Sequence, residues 1–376
     1  MSDSRTPRQR IEYALLRAVM SLPERAALAL AGGSPIERDG ERLAPEIQLL
    51  LKLFALQREP RVGAMTPAQM RRLRRHGAAV AGGPVDRSIA ASDLLIDNGD
   101  GLPARLYHAT EGRCERALIV YYHGGGFVFG DLDTHDAFCR LLARHSGARV
   151  LAIDYRLAPE HPFPAAVEDA QAAFEWALAS AERLGADRDR IGVAGDSAGA
   201  NLAAVVSQLL AREGGPTPAA QVLIYPATDI AYKHPSRSIF AEGFFLTAED
   251  MDWFDRHYVG DESVDRSDPR ISPLRAPDLS GLPPALVVTA GFDPLRDEGE
   301  AYAHALSEAG TPVILRRCEG LIHGFINMTG ASRRSREAAI EIAGATRALL
   351  ASAPERRSAE RPAAQPAGAG TRQPPV

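Results

Sequence analysis

The sequence predicts an α/β fold: a mostly parallel eight-stranded sheet with helices on both faces and a helical cap. Three observations carry this expectation. From Ala117 to Ala351, short apolar runs alternate with helical stretches, the rhythm of a parallel sheet wrapped by helices. Before them, alternating residues flank Asn98-Gly99-Asp100-Gly101, a hairpin signal that implies an antiparallel edge. Two segments, 1–85 and 228–277, break the rhythm. They are placed to cover the edge of the sheet where ligands bind in open α/β folds.

At the N-terminus, Arg5, Arg8 and Arg10 precede an apolar region from Ile11 to Leu30, interrupted by Arg17, Glu24 and Arg25. The interruptions leave no clean apolar core for a signal peptide and too much charge for an integral membrane segment. An amphipathic helix pair is expected instead. Pro45 to Leu56 is apolar on one broad face, and Thr66-Pro67 opens the next helix with a capping hydroxyl and a first-turn proline. Strands are then expected at Ala117–Tyr122, Arg149–Tyr155, Ile191–Ala194, Gln221–Tyr225, Ala285–Ala290 and Val313–Arg317. The helices between and after them fall at Thr134–His145, Ala165–Arg183, Arg296–Ala309 and Ala338–Ala351. From Ser352 the chain is mostly Ala, Pro, Arg, Glu and Gly without periodicity and reads as a disordered tail. The domain reading is therefore a helical region 1–85 contributing to a cap, a catalytic domain 86–351 with a second cap segment at 228–277, and a tail 352–376.

The chain has 376 residues, 45% hydrophobic and 24% charged, with a formal net charge of -5. It can bury a large core, and nothing in this balance supports nucleic-acid binding. Cys114, Cys139 and Cys318 are few and odd in number. They fit free thiols in a reducing compartment, the cytoplasm, and none sits at metal-ligand spacing.

Gly195-Asp196-Ser197-Ala198-Gly199 lies between the apolar run ending at Ala194 and the helical stretch beginning at Ala200. A serine between glycines at a strand-to-helix junction is a nucleophile elbow, since only tiny side chains fit beside so sharp a turn. A serine hydroxyl is a poor nucleophile unaided. It needs a base within hydrogen-bond reach, an acid to orient that base and donors for the oxyanion. His123-Gly124-Gly125-Gly126-Phe127 follows the first parallel strand and offers backbone N–H groups unobstructed by side chains, joined by the N–H of Ala198. Of ten histidines, His323 falls just after the last strand, and Asp293 falls just after Ala285–Ala290. Ser197, Asp293 and His323 each sit past a strand end, in the order Ser, Asp, His. Asp297 is the second choice of acid, but it lies inside the following helix.

The set HGGGF, DYRLAPEHPFPA, GDSAGANLA, YPATD, DPLRDEGE and HGF resembles the hormone-sensitive-lipase-like (family IV) bacterial carboxylesterases of the α/β-hydrolase superfamily, over residues 40–350. The resemblance implies Ser197 as nucleophile, His323 as general base and acid, and Asp293 as the orienting carboxylate. It implies an oxyanion hole from the N–H groups of Gly125, Gly126 and Ala198, with Gly124 shaping the loop. His123 and residues 154–160 would support the site. Ala200 departs from the glycine many members carry, a mild change. The implied activity is hydrolysis of short-to-medium acyl esters through an acyl-enzyme, with no cofactor or metal. A lactone, amide or O-acetylated metabolite would suit the same triad, and a catalytically silent ligand-binding protein is the reading from another class. A homodimer through the edge strand at Val313–Arg317 is a further expectation from the resemblance.

Overall fold

Successive side chains of a strand point to opposite faces, so a sheet covered by helices on both sides must be apolar at every position. The computed structural model describes residues 5–57, 62–97, 99, 101–110, 116–260 and 263–352. Its main sheet contains β1 (Ile89–Ile96), β2 (Leu102–Ala109), β3 (Leu118–Tyr122), β4 (Arg149–Ile153), β5 (Ile191–Asp196), β6 (Gln221–Ile224), β7 (Ala285–Phe292) and β8 (Val313–Ile322). The spatial order is β8-β7-β6-β5-β3-β4-β2-β1. β1 pairs antiparallel with β2, and β2 with β4, while every other pairing is parallel. The expected hairpin is therefore present, with Ile89 opposite Ala109, although residues 98 and 100 of its turn lie outside the described residues. So do Cys114 and the tail from 353.

The helices are α1 (Pro7–Met20), α2 (Glu24–Ala31), α3 (Pro45–Gln57), α4 (Pro67–Ala81), α5 (Asp136–Ser146), α6 (Ala165–Ala179), α7 (Ala198–Arg212), α8 (Pro235–Ile239), α9 (Ala248–Tyr258), α10 (Arg296–Glu308) and α11 (Arg333–Ala351). β3 shows how the two layers form. Leu118, Val120 and Tyr122 join a core with residues of α6, α7 and α10, whereas Ile119 and Tyr121 join the core under α3, α5 and α11. Each such aliphatic side chain contributes about 1.5–3 kcal/mol by leaving water.

Local signals set the helix starts. Thr66 accepts from the Gln69 N–H, and Gln69 in turn accepts from the Thr66 N–H, a reciprocal cap. Two elements run furthest beyond expectation. α11 begins at Arg333, because Ser332 caps it by accepting the Ser335 N–H. Its first turn is polar and gives no apolar period. β8 extends to Ile322 with a register irregularity between Cys318 and Ile322. Glu319 and Gly320, the latter at φ 69°, disguise the stretch beyond Arg317, and an edge position tolerates them.

α8, α9 and one further element had no counterpart among the expected helices and strands. Glu37–Arg38 and Glu41–Arg42 form a minimal antiparallel hairpin. Asp39 and Gly40 turn it with φ of 54° and 77°, so the Asp-Gly pair was the readable signal. The hairpin clamps the sheet's C-terminal edge. Asp39 pairs with Arg296 at 2.5 Å, Glu41 with Arg317 at 3.0 Å, and the Ala44 N–H donates to the Gly320 carbonyl at 3.0 Å.

Candidate active site

β5 runs straight into α7 through Ser197, whose backbone sits at φ 55°, ψ -119°. A non-glycine residue holds such a conformation only when its surroundings enforce it. Here the Ser197 N–H donates to the Ile224 carbonyl at 2.9 Å, and the Ser197 carbonyl accepts from the Asn201 N–H at 3.1 Å. The flanking glycines are required by contact. A Cβ on Gly195 would overlap the backbone of Gly199, and one on Gly199 would overlap the Tyr122 carbonyl.

The three residues expected past strand ends converge. His323 Nε2 lies 2.9 Å from Ser197 Oγ, and His323 Nδ1 lies 2.7 Å from Asp293 Oδ2. All three are buried, Asp293 completely. The other Asp293 oxygen accepts the Leu295 N–H at 2.8 Å, which fixes the carboxylate plane. With Nδ1–H donated to Asp293, Nε2 is the acceptor that faces the serine hydroxyl. Asp297, the second choice of acid, instead accepts from the Ser236 N–H and Arg296 on α10. It holds α8 and does not contact His323.

The glycine loop divides its labour. Gly124 donates its single N–H to Asp196 Oδ1 at 2.8 Å, so it anchors the loop and is unavailable as an oxyanion donor. Among the described residues no hydrogen bond engages the N–H of Gly125 or Gly126. Their φ values of 123° and 58° are reached without strain only by glycine. The Gly125 carbonyl accepts from Val128 and Phe129, closing the turn. Ala198 sits at the first position of α7, where backbone N–H groups have no intrahelical partner.

Sequence reasoning missed the device that ties this loop to the elbow. Asp196 is buried and receives the Tyr121 hydroxyl at 2.6 Å, His135 Nε2 at 3.2 Å and the Tyr225 hydroxyl at 3.4 Å, besides Gly124. Burial pushes its carboxyl up, but His135, the Tyr121 hydroxyl and the Gly124 N–H outweigh that and hold it below its usual value. Tyr225 also packs on the His323 ring, 4.6 Å between centroids. Asp196 preceding the serine was readable. Its partners were not, because His135 stood among ten histidines without a motif and Tyr121 read as strand core.

His123 and the 154–160 stretch lie behind the loop. His123 stacks on Tyr155 at 4.3 Å, and the Tyr155 hydroxyl donates to the His123 carbonyl at 2.7 Å. Burial, then the neighbouring His135, push His123 down to about 4, so its ring is neutral at pH 7. From α4, Arg71 donates to the carbonyls of Val128 and Ala158 and pairs with Glu160. Of the aromatic rings in segment 228–277, Phe240, Phe244, Trp253 and Tyr258 are core, with Tyr258 stacked on Phe127 at 3.7 Å. Phe254 and Phe245 are only partly buried. They stand against the site, Phe254 over Gly126 and Phe245 beside Gly324.

This geometry recurs in known proteins. Residues 119–327 match the family model described as alpha/beta hydrolase fold. The chain is 47% identical to carboxylic ester hydrolase LipN of Mycobacterium tuberculosis, over 88% of this chain and 89% of that protein. It is 40% identical to ethyl acetate hydrolase of Pseudomonas putida, over 70% and 85% respectively. Among solved structures, an ester hydrolase from the metagenome of Lake Arreo superposes with a TM-score of 0.75 at 42% identity, covering 82% of this chain and 99% of that one. A thermostable esterase from Pseudomonas putida gives 0.77 at 34% identity, covering 81% and 96%. The chain belongs to the α/β-hydrolase fold family, as a hormone-sensitive-lipase-like carboxylic ester hydrolase.

Proposed function

We propose that this esterase works through Ser197 as nucleophile on short-to-medium acyl esters. The observation that carries the reading is the continuous contact from Ser197 Oγ through His323 to Asp293, at 2.9 and 2.7 Å. His323 Nε2 takes the hydroxyl proton as Ser197 attacks the ester carbonyl. Asp293 stabilises the imidazolium without itself being protonated. The N–H groups of Gly125, Gly126 and Ala198 receive the oxyanion, with Gly124 holding the loop in place. His323 then passes its proton to the leaving alcohol. In the second half-reaction it activates water, and the acid leaves.

Residues 1–85 and 228–277 are the proposed cap over the acyl pocket, with Phe254 and Phe245 its two rings nearest the glycine loop and His323. The preference for shorter chains rests on the family resemblance. No described helix is long and apolar enough to cross a membrane. A cytoplasmic location is supported by the sparse cysteines, of which Cys139 and Cys318 are buried free thiols. The free edge of β8 is the proposed homodimer surface, where Ile314 is 46% exposed; light scattering on the eluting peak tests this.

Ser197→Ala tests the mechanism. It is expected to lower kcat for p-nitrophenyl butyrate by at least about 10³-fold and to abolish labelling by a fluorophosphonate, with the melting temperature kept. Full activity in that variant would overturn the assignment.

A further inference from the structure

The junction of α1 and α2 with α5 and α11 forms a half-open cavity of about 840 Å³ that none of Ser197, Asp293 or His323 lines. Its size is that of small-molecule sites, which run to roughly 300–1,000 Å³. Its floor is apolar, with Met20, Ala27, Leu141 and Ala331 all buried. Its walls are strongly cationic. Five arginines line it against three acids, Glu24, Glu46 and Asp86.

All three acids are already engaged. Glu46 accepts the Ser332 hydroxyl and the Arg334 N–H, and Glu24 pairs with the Arg334 side chain at 3.3 Å. Asp86 takes Arg144 at 2.6 Å together with the Ser88 hydroxyl and N–H. Among the described residues no acid lies within ion-pair distance of Arg17 or Arg336. Arg333 has only Glu337, 3.6 Å away on its own helix. His145, which also lines the cavity, is held below its ordinary value by burial and then by the fields of Arg144 and Arg336.

We propose that this cavity binds an amphiphilic anion, a carboxylate or phosphate head on a short alkyl chain, with the head at Arg17 and Arg336 and the chain on Met20 and Leu141. The cations supply charge and hydrogen-bond donors to an oxyanion. The apolar floor gives a short alkyl chain cover that a bare inorganic ion would leave unused. The same chemistry describes a free fatty acid and an alkyl phosphate, which differ in head charge.

The test is calorimetric titration of the full chain with octyl phosphate, octanoate, inorganic phosphate and octanol. Comparison with the double variant Arg17→Glu/Arg336→Glu separates this cavity from the acyl pocket. Octyl phosphate or octanoate is expected to bind the wild type and to weaken at least tenfold in the double variant. Arg17→Lys/Arg336→Lys should stay within threefold of the wild type. Both double variants should keep the wild-type melting temperature, which reports an intact fold, and hydrolysis of p-nitrophenyl butyrate should be unchanged in Arg336→Gln, a position outside the proposed cap. Arg336→Gln alone, with an expected loss of about threefold, covers the case in which charge reversal disturbs folding. Loss for octanoate as well as octyl phosphate assigns a general oxyanion site, and loss for octyl phosphate alone assigns a phosphate site. Equal affinity of wild type and charge-reversal variant, or octanol binding as tightly as the anions, overturns the proposal.

Discussion

The floor of the site and the segment above it are built by different means. The floor consists of backbone pressed against backbone: β5, the elbow and the 123–127 loop touch so closely that Gly195 and Gly199 have no room for a methyl group. Beneath it, four donors converge on the buried Asp196. Segment 228–277 is held by side chains, many at its surface. Arg237 pairs with Asp252, whose side chain is 46% exposed, and Arg266, itself 46% exposed, lies 3.7 Å from Asp255. Both of its glycines, Gly243 and Gly260, face open space. Close backbone contact fixes the reacting atoms, whereas rings and ion pairs can be exchanged one at a time. Chemistry is thereby confined to a rigid part of the molecule and substrate choice to an adjustable one.

One substitution made in both regions should separate them most. Gly199→Ala puts a methyl group into the carbonyls of Tyr122 and His123, where only movement of the strand can relieve it. The expected cost is above about 3 kcal/mol, at the large end for single changes, with loss of activity. Gly243→Ala, at φ 88° with nothing within 4 Å, meets only the left-handed backbone penalty of about 1–2 kcal/mol. Urea titration of both variants gives the comparison. Equal midpoints would mean that the elbow is as adaptable as the segment above it.

Tyr121→Phe tests whether the hydrogen bonds beneath the floor matter apart from its packing. The ring stays, and the 2.6 Å bond to Asp196 goes. Removing one partner of a buried charged group costs about 1–3 kcal/mol. Because Asp196 also holds the Gly124 N–H, kcat should fall about tenfold with KM little changed. A stability loss without any change in kcat would make Asp196 a purely structural anchor.

The same contrast explains what could be read from the sequence. The elbow, the glycine loop and the placement of Asp293 and His323 past strand ends were legible, because each follows from local geometry: a tight turn demands glycine and a strand end delivers a loop. Thr66 and Pro67 announced α4 for a similar reason. The pairing of Asp196 with Tyr121 and His135 was not legible. It depends on which face of β3 and which turn of α5 meet beneath the elbow, a matter of tertiary register. Nor was the Glu37–Arg42 hairpin, although Asp39-Gly40 marked it. Its residues are charged, and its purpose becomes visible only where Arg296 and Arg317 wait for them. The second half of β8 was hidden by Glu319 and Gly320, which an edge strand tolerates and a central one would not.

Where the two regions meet, a buried acid makes the junction sensitive to pH. Glu298 of α10 is 2% exposed and accepts the N–H groups of Thr228 and Asp229, the first residues of segment 228–277. Burial pushes it up to about 8, despite those donors, from 4.5. The native state therefore keeps a proton that the unfolded chain has lost. The stability from this group is fully present below pH 4.5 and is lost as pH rises through 8, by at most about 1.4 kcal/mol per pH unit. Glu298→Gln is neutral at every pH and should remove that slope. Urea midpoints at pH 5, 6.5 and 8 should fall faster in the wild type than in the variant. Parallel curves would place the ionisation outside this window.

The smallest effect should come from the ring over the glycine loop, and it bears most directly on substrate choice. Phe254 lies in contact with Gly126 and 5.8 Å from Phe129, and it is only partly buried. Phe254→Ala opens space above the proposed oxyanion donors without touching Ser197, Asp293 or His323. A longer acyl chain can use that space, and each added methylene that finds apolar cover gains about 0.8 kcal/mol. A short chain gains nothing and loses one wall. The ratio of kcat/KM for p-nitrophenyl octanoate over butyrate should therefore rise about three- to tenfold, with kcat for butyrate within threefold of the wild type. If both esters decline together, the ring positions the glycine loop and the contrast between rigid floor and adjustable roof is drawn in the wrong place. If the ratio alone moves, acyl-chain preference belongs to the roof and can be reset there without disturbing the elbow.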